Sequence, residues 1–157
     1  MFKFKQSFIA TIFILFSIVI LFITNITNDI PLEDLKTEFK NKNSRFVEVD
    51  GTFVHYVDQG EGIPIILLHG TGASLHTWDL WAERLKDKYR VLRITLPGFG
   101  LSGPRSDKKY KIKDYVNLLE RFVEKIGVEK FYLAGNSLGG SIAWLYTSFY
   151  DKKVKKL

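Results

Sequence analysis

The chain has 157 residues, of which 46% are hydrophobic and 25% are charged, a composition that is ordinary for a globular protein. It contains no cysteine, which excludes disulfides, zinc–thiolate sites and a cysteine nucleophile. The net charge of +6 is by itself a weak sign of nucleic-acid binding, and the lysines and arginines are scattered apart from KKVKK at 152–156, so we expect no nucleic-acid partner.

The first feature along the chain is a run without a charged residue, FIATIFILFSIVILFIT at 8–24. Its 17 residues are at the short end of what an α-helix needs to span the hydrocarbon core of a membrane. Lys3 and Lys5 precede it, as in a signal sequence, but bulky side chains at 21–23 replace the small residues suited to cleavage. The pattern favours an uncleaved transmembrane anchor over a removed signal peptide. It also disfavours a buried core helix, because the run is apolar on every face.

The flanks of this run predict an orientation and a division of the chain. The short flank at 1–7 is expected to stay inside, which places the globular part of a single-pass membrane protein on the extracytoplasmic side. Residues 25–44 are polar and mixed in charge. They are interpreted as a tether, with one or two helical turns after Pro31, and the globular domain begins at residue 45.

From residue 45 the sequence alternates between strand and helix patterns. Two alternating runs, RFVEV and TFVHYVD, flank an Asp-Gly turn and predict a β-hairpin. Apolar runs and helical spacing predict further strands at 63–70, 89–98 and 129–135 and helices at 77–88, 110–126 and 137–150. A hairpin followed by alternating strands and helices predicts an α/β fold, with a mostly parallel sheet and helices on both faces.

The stretch GNSLG at 135–139 lies between a predicted strand and a predicted helix. A strand that turns directly into a helix at a serine holds that serine in a strained conformation. Only small residues fit two positions before and after it, here Gly135 and Gly139. The turn presents Ser137 above the C-terminal edge of the sheet, where the helix N-terminus offers unpaired N–H groups to a developing oxyanion. Ser137 is therefore a candidate nucleophile.

Two other glycine-rich loops follow predicted strands, HGTGAS at 69–74 and PGFG at 97–100. Open α/β sheets bind their ligands at the carboxyl ends of the strands, where all three loops are expected to meet. The order of strand and HG loop, strand and PGFG loop, strand, GNSLGG and helix resembles the α/β-hydrolase superfamily. The resemblance covers about residues 45–157.

The resemblance implies that Ser137 is the nucleophile and that the N–H groups of Leu138 and Thr71 form the oxyanion hole. It implies that His69 holds its loop instead of acting as a base, and it implies no cofactor. Because the nucleophile is serine, the epoxide hydrolases and haloalkane dehalogenases of this fold, which use aspartate, are disfavoured. Esterases, lipases, amidases, carbon–carbon bond hydrolases and cofactor-free haloperoxidases remain. Many members carry aspartate where this chain has Thr95.

A serine hydroxyl needs a base to remove its proton, and the resemblance places the catalytic acid and histidine after the nucleophile. The twenty residues after Ser137 contain one acid, Asp151, and no histidine. Asp151 is expected at the far end of the following helix, about 20 Å away. The three histidines of the chain precede the serine, and each has a structural interpretation. We therefore expect the catalytic acid and histidine beyond Leu157, and residues 45–157 to be a partial hydrolase domain that is inactive on its own.

These residues predict a membrane-anchored serine hydrolase for a small-molecule, ester-like or related carbonyl substrate. The alternative is a non-catalytic product, either a truncated pseudoenzyme or a membrane-tethered binding module. A purely structural membrane-associated protein would require all three glycine-rich loops to be coincidental.

Overall fold

The structure is a computed structural model that describes residues 2–24 and 30–157, and the chain divides into two compact units between Pro31 and Leu32. The first unit contains helix α1, Phe2–Thr24. The helices of the second unit are α2 (Leu32–Phe39), α3 (Asp79–Leu85), α4 (Ile112–Lys125) and α5 (Leu138–Phe149). Its strands are β1 (Ser44–Val49), β2 (Thr52–Gln59), β3 (Ile63–Leu68), β4 (Tyr89–Ile94), β5 (Phe131–Gly135) and β6 (Val154–Lys156).

The prediction of a transmembrane anchor at 8–24 is wrong. Within residues 2–24 and 30–157, no helix combines the length and the apolar character that crossing a membrane requires. The run of 17 residues at 8–24 is at the lower limit of the length that the hydrocarbon core requires, so its apolar composition alone did not establish a span. The predicted single-pass location, with the domain on the extracytoplasmic side, is corrected with it. The predicted contact with a lipid bilayer has no support.

The predicted tether at 25–44 is described in part. Residues 25–29 lie outside the described residues. Residues 32–39 form α2, which matches the helical turns expected after Pro31. This helix belongs to the second unit, and Leu32 lies against Gly103, where an added Cβ would meet the leucine side chain at 3.2 Å.

The six strands of the second unit form one sheet in the order β1-β2-β4-β3-β5-β6. The pairs β1/β2 and β2/β4 are antiparallel. The pairs β3/β4, β3/β5 and β5/β6 are parallel. This topology confirms the predicted α/β fold with a mostly parallel sheet.

Strand β3 is buried on both faces, which explains its continuous apolar sequence. Side chains alternate between the two faces of a strand. Ile66 packs in the larger core cluster with Phe122 of α4, and Ile65 packs in a second cluster with Ala82 of α3. Helices α4 and α5 therefore cover one face of the sheet and α3 covers the other, as predicted.

Several predicted elements are shorter in the structure because loops begin earlier than the apolar pattern suggests. Strand β3 ends at Leu68 and β4 at Ile94. The residues that follow each strand form turns, and Gly98 adopts φ +88° within the second turn. The predicted helix at 77–88 begins as a 3₁₀ turn, Leu75–Trp78, before α3.

His55 makes the stability of the domain sensitive to acid. It is 1% exposed, and its Nδ1 and Nε2 lie 3.2 Å from Thr95 Oγ1 and 3.0 Å from Ser44 Oγ. Burial, with smaller effects of the His76 and Arg93 charges, lowers the pKa of His55 from 6.5 to about 4. Because the unfolded chain binds this proton at a higher pH than the folded one, the stabilisation is complete above about pH 6.5 and is lost as the pH falls toward 4.

We therefore expect the free energy of unfolding, measured by urea denaturation, to decrease as the pH falls from about 7 to about 4.5. The decrease should be smaller in His55→Gln, whose side chain does not titrate in this range. The two proteins are compared by the slope of the free energy of unfolding against pH, because the substitution also changes hydrogen bonds at every pH. Equal slopes in the two proteins would contradict the assignment to His55.

Candidate nucleophile and oxyanion site

Ser137 connects strand β5 directly to helix α5. Its backbone has φ 50° and ψ −112°, a region that residues with a side chain rarely adopt. Its side chain is exposed, and its Oγ forms no hydrogen bond within residues 30–157. Such strain persists only where the surrounding structure enforces it, and it is typical of functional sites.

The two glycines around Ser137 are required by close backbone contacts. A Cβ added at Gly135 would lie 2.2 Å from the backbone of Gly139. A Cβ added at Gly139 would lie 2.3 Å from the carbonyl oxygen of Leu68, the last residue of β3. The Asn136 N–H also donates to that carbonyl oxygen, at 3.0 Å. The turn is thus clamped between the end of its own strand and the neighbouring one.

Two backbone N–H groups near Ser137, those of Leu138 and Thr71, have no hydrogen-bond acceptor in the described part of the chain. Leu138 is the first residue of α5, so its N–H has no partner within the helix. Thr71 is in the turn after β3, and Gly70 brings this turn against the nucleophile, since a Cβ at Gly70 would lie 3.3 Å from Ser137 Cβ. In the described part of the chain neither N–H donates a hydrogen bond. The three predicted site residues therefore lie at one corner of the sheet.

His69 holds the loop after β3 and has no free nitrogen. Its Nε2 accepts a hydrogen bond from the Leu96 N–H at 2.9 Å. The proton therefore resides on Nδ1, which donates to the carbonyl oxygen of Gly70 at 2.7 Å. Burial lowers the pKa of His69, which keeps the ring neutral. The bond from Leu96 joins the loops after β3 and β4, and the two bonds together leave neither ring nitrogen of His69 free to take a proton from Ser137.

The groove beside Ser137 contains no histidine. It runs along α5 and is lined by Ile112, Ser137, Gly140, Ser141, Trp144 and Leu145. His55 is buried among its hydrogen-bond partners, and His76 Nδ1 pairs with Asp79 Oδ2 at 3.0 Å. Asp151 follows the far end of α5. Among the residues that the structure describes, none is placed to act as the base.

The loop after β4 is supported by neutral hydrogen bonds. Thr95 is fully buried, and its Oγ1 lies 3.2 Å from His55 Nδ1 and accepts from the Leu75 N–H at 3.4 Å. Ser102 Oγ donates to the Thr95 carbonyl oxygen at 2.5 Å and accepts from the His55 N–H at 2.9 Å. Thr95 therefore supports the loop without a carboxylate. Ser102 was missed in the sequence because its partner His55 is 47 residues away.

A protein-family model and several known proteins match this chain. A family model described as the alpha/beta hydrolase fold matches residues 63–157. Epoxide hydrolase 4 of Mus musculus is 32% identical over 114 residues, covering 71% of this chain and 32% of that protein. Haloalkane dehalogenase 2 of Mycobacterium tuberculosis is 31% identical over 100 residues, covering 64% and 35%.

Two solved structures are also similar to this chain. Cfl2 from Burkholderia cenocepacia has 32% sequence identity and a TM-score of 0.68, covering 71% of this chain and 38% of that one. Epoxide hydrolase VrEH1 from Vigna radiata has 27% identity and a TM-score of 0.68, covering 71% and 37%.

The chain spans about a third of the length of the curated relatives it matches, between 30% and 35% for the acetoin-cleaving acetyltransferase component of Cupriavidus necator and the two hydrolases above. These three relatives carry names from three reaction classes. The likeness over this shared part therefore identifies a fold and does not select a substrate.

Proposed function

Because the chain belongs to the α/β-hydrolase fold family, we propose that it supplies the nucleophile and the oxyanion hole of a serine hydrolase for ester-like carbonyl substrates. The observation that carries the proposal is Ser137, an exposed and strained serine with a free hydroxyl at the N-terminus of α5. The two free N–H groups of Leu138 and Thr71 belong to the same corner of the sheet.

The proposed reaction is acyl transfer through a covalent intermediate. Ser137 Oγ attacks the carbonyl carbon while a base removes the hydroxyl proton, and the carbonyl oxygen becomes an oxyanion. The N–H groups of Leu138 and Thr71 donate to this oxyanion, and the positive end of the α5 dipole adds to its stabilisation. The bond to the leaving alcohol then breaks, and the alcohol receives the proton. Water hydrolyses the acyl-serine, which releases the acid.

A carbonyl substrate fits these residues better than an epoxide or an alkyl halide. The nucleophile at the turn is Ser137, whereas the relatives of those two classes are expected to use aspartate. Paired N–H donors stabilise charge that develops on a carbonyl oxygen, which is the charge of an acyl-transfer intermediate. The names of the relatives therefore do not decide the substrate class of this protein.

We propose that a histidine and an acid outside these 157 residues complete the site. This follows from the described histidines, since His69 and His55 have both ring nitrogens engaged and His76 is absent from the groove. The alternative is that the chain is a non-catalytic binding module or pseudoenzyme. The lack of a base beside Ser137 in the described residues favours that alternative for the 157-residue chain taken alone.

Chemical rescue can test this proposal on the chain as it stands. A fluorophosphonate reacts by forming an oxygen–phosphorus bond at the serine and releasing fluoride, and the hydroxyl proton must be accepted. Added imidazole should replace the missing base and raise the rate of labelling by on the order of tenfold, below the 100-fold or more of a positioned base.

The matched control is Ser148→Ala, which changes another exposed serine on α5 that does not line the groove and should preserve the imidazole effect. Ser137→Ala should abolish labelling. A chain that unfolds cooperatively but is not labelled with or without imidazole would support the non-catalytic alternative. Labelling that survives in Ser137→Ala would contradict the proposed nucleophile.

A further inference from the structure

A second cavity lies apart from the Ser137 groove, between α2 and the loops that follow β3 and β4. Its volume is about 290 Å³, and it shares no lining residue with the groove. Helix α2 contributes Leu35 and Phe39, the loop after β3 contributes Gly72 and Ala73, and the loop after β4 contributes Leu101. Most of the surface of its wall is apolar, although His55, Ser74, His76 and Thr95 also line it.

The wall of this cavity carries no aspartate, glutamate, lysine or arginine. Each of its four polar side chains makes at least one hydrogen bond within the protein. Thr95 Oγ1 and both ring nitrogens of His55 have partners, and Ser74 Oγ accepts from the His76 N–H at 3.4 Å. His76 Nε2 has no partner within the described residues and is itself buried. The lowered pKa of His55 keeps its ring uncharged at pH 7.

We propose that this cavity, enclosed by α2 and the loops after β3 and β4, binds a small, neutral, apolar molecule. A charged ligand would lose its hydration without gaining a partner of opposite charge, which is strongly unfavourable. A polar ligand would find both ring nitrogens of His55 and the hydroxyl of Thr95 already bonded within the protein. An apolar ligand needs neither an opposite charge nor a hydrogen-bonding partner, and burial of its surface provides the free energy of binding.

The volume limits the size of the ligand. A cavity of roughly 150 Å³ with apolar walls can bind benzene, and pockets for drug-sized ligands begin at about 300 Å³. The cavity therefore fits one or two aromatic rings, or an alkyl chain of similar volume. Because it is separate from Ser137, binding here can be tested without any assumption about the proposed hydrolase chemistry.

Naphthalene is a suitable probe, and naphthalene-2-sulfonate is its charged counterpart of the same ring size. We expect naphthalene to raise the Tm of the 157-residue chain, as any ligand that binds only the folded state does. We expect its amide chemical-shift changes to be confined to α2 and to residues 71–74 and 98–102. The sulfonate should produce neither effect at the same concentration.

Two variants locate the site. Ala73→Leu places extra volume in the cavity and should weaken naphthalene binding at least about tenfold, or 1.4 kcal/mol. Trp144→Ala alters the Ser137 groove instead, where Trp144 is 66% exposed, and should leave the Kd within about twofold. If Ala73→Leu does not fold, the residues whose amide chemical shifts change in the unmodified chain locate the naphthalene site instead. Shifts centred on the Ser137 groove, or equal binding of the sulfonate, would overturn the proposal.

Discussion

In the serine hydrolase proposed above, with its histidine and acid present, replacing Ser137 with alanine is expected to lower kcat on an ester substrate by about a millionfold. This is the size of loss seen when the nucleophile of a Ser-His-Asp hydrolase is removed. Ser137 Oγ forms no hydrogen bond in the described residues and its side chain is exposed, so its removal leaves no buried group unpaired. The loss should therefore appear in turnover while the Tm stays within a few degrees. Steady-state kinetics with a chromogenic ester and a thermal melt measure the two quantities.

Ser148→Ala is the control for this prediction. Ser148 is exposed near the C-terminal end of α5, outside the groove, and its Oγ donates to the Leu145 carbonyl oxygen at 2.7 Å. Turnover should remain within about threefold of the unmodified enzyme, because a surface hydroxyl away from the reacting atoms changes little. Substantial turnover in Ser137→Ala, beside a normal control, would contradict the role of Ser137.

Replacing Gly139 with alanine is expected to lower the free energy of unfolding more than Ser137→Ala or Gly127→Ala does. The new Cβ would lie 2.3 Å from the Leu68 carbonyl oxygen and 2.7 Å from that of His69. Both are backbone atoms at the end of β3, so they cannot move aside as a flexible side chain could. Forced overpacking of this kind costs about 3 kcal/mol or more in the free energy of unfolding. Urea denaturation measures it.

Gly127→Ala separates this steric cost from the cost of backbone conformation. Gly127 has φ +69°, and a Cβ added there would meet no atom within 4 Å. Only the left-handed conformation is then penalised, at about 1 kcal/mol. A loss in Gly139→Ala no larger than that in Gly127→Ala would show that the nucleophile turn is not clamped against β3 as described.

The tight turn at Ser137 could be predicted from the sequence because its requirements are local. Gly135 and Gly139 are needed by contacts within the turn and with the adjacent strand, and both lie two positions from Ser137. The sheet was also predictable, since a strand covered on both faces, such as β3, leaves an uninterrupted apolar run. The end of a strand depends on where the backbone turns, which the apolar pattern does not report. Strand β4 therefore ends at Ile94, whereas the pattern predicted a strand that continues to Gly98.

Other features depend on contacts that no local pattern reports. The bonds that join His55, Thr95 and Ser102 connect positions up to 47 residues apart, and each residue is unremarkable in its own segment. Helix α2 was interpreted as part of a tether because its sequence, LEDLKTEF, is mostly polar. Its apolar side chains, including Leu35, nevertheless face the second cavity. A few apolar positions on a short polar helix are too weak a signal to predict such packing.

The transmembrane prediction failed because it also rested on a weak signal in the sequence. The apolar run at 8–24 has no charge, but its length lies at the lower limit for a membrane span. Composition alone could not decide whether this run spans a membrane. Within residues 2–24 and 30–157 the structure contains no helix that is both long enough and apolar enough to do so.

The most direct test of the central claim is the mass of one peptide. Trypsin should release residues 131–152, which contain Ser137 together with Ser141 and Ser148. After reaction with a fluorophosphonate in the presence of imidazole, tandem mass spectrometry should locate the phosphonyl group on Ser137 alone. An adduct on another serine, or an unmodified peptide from a folded and imidazole-treated protein, would contradict the assignment of Ser137 as the nucleophile.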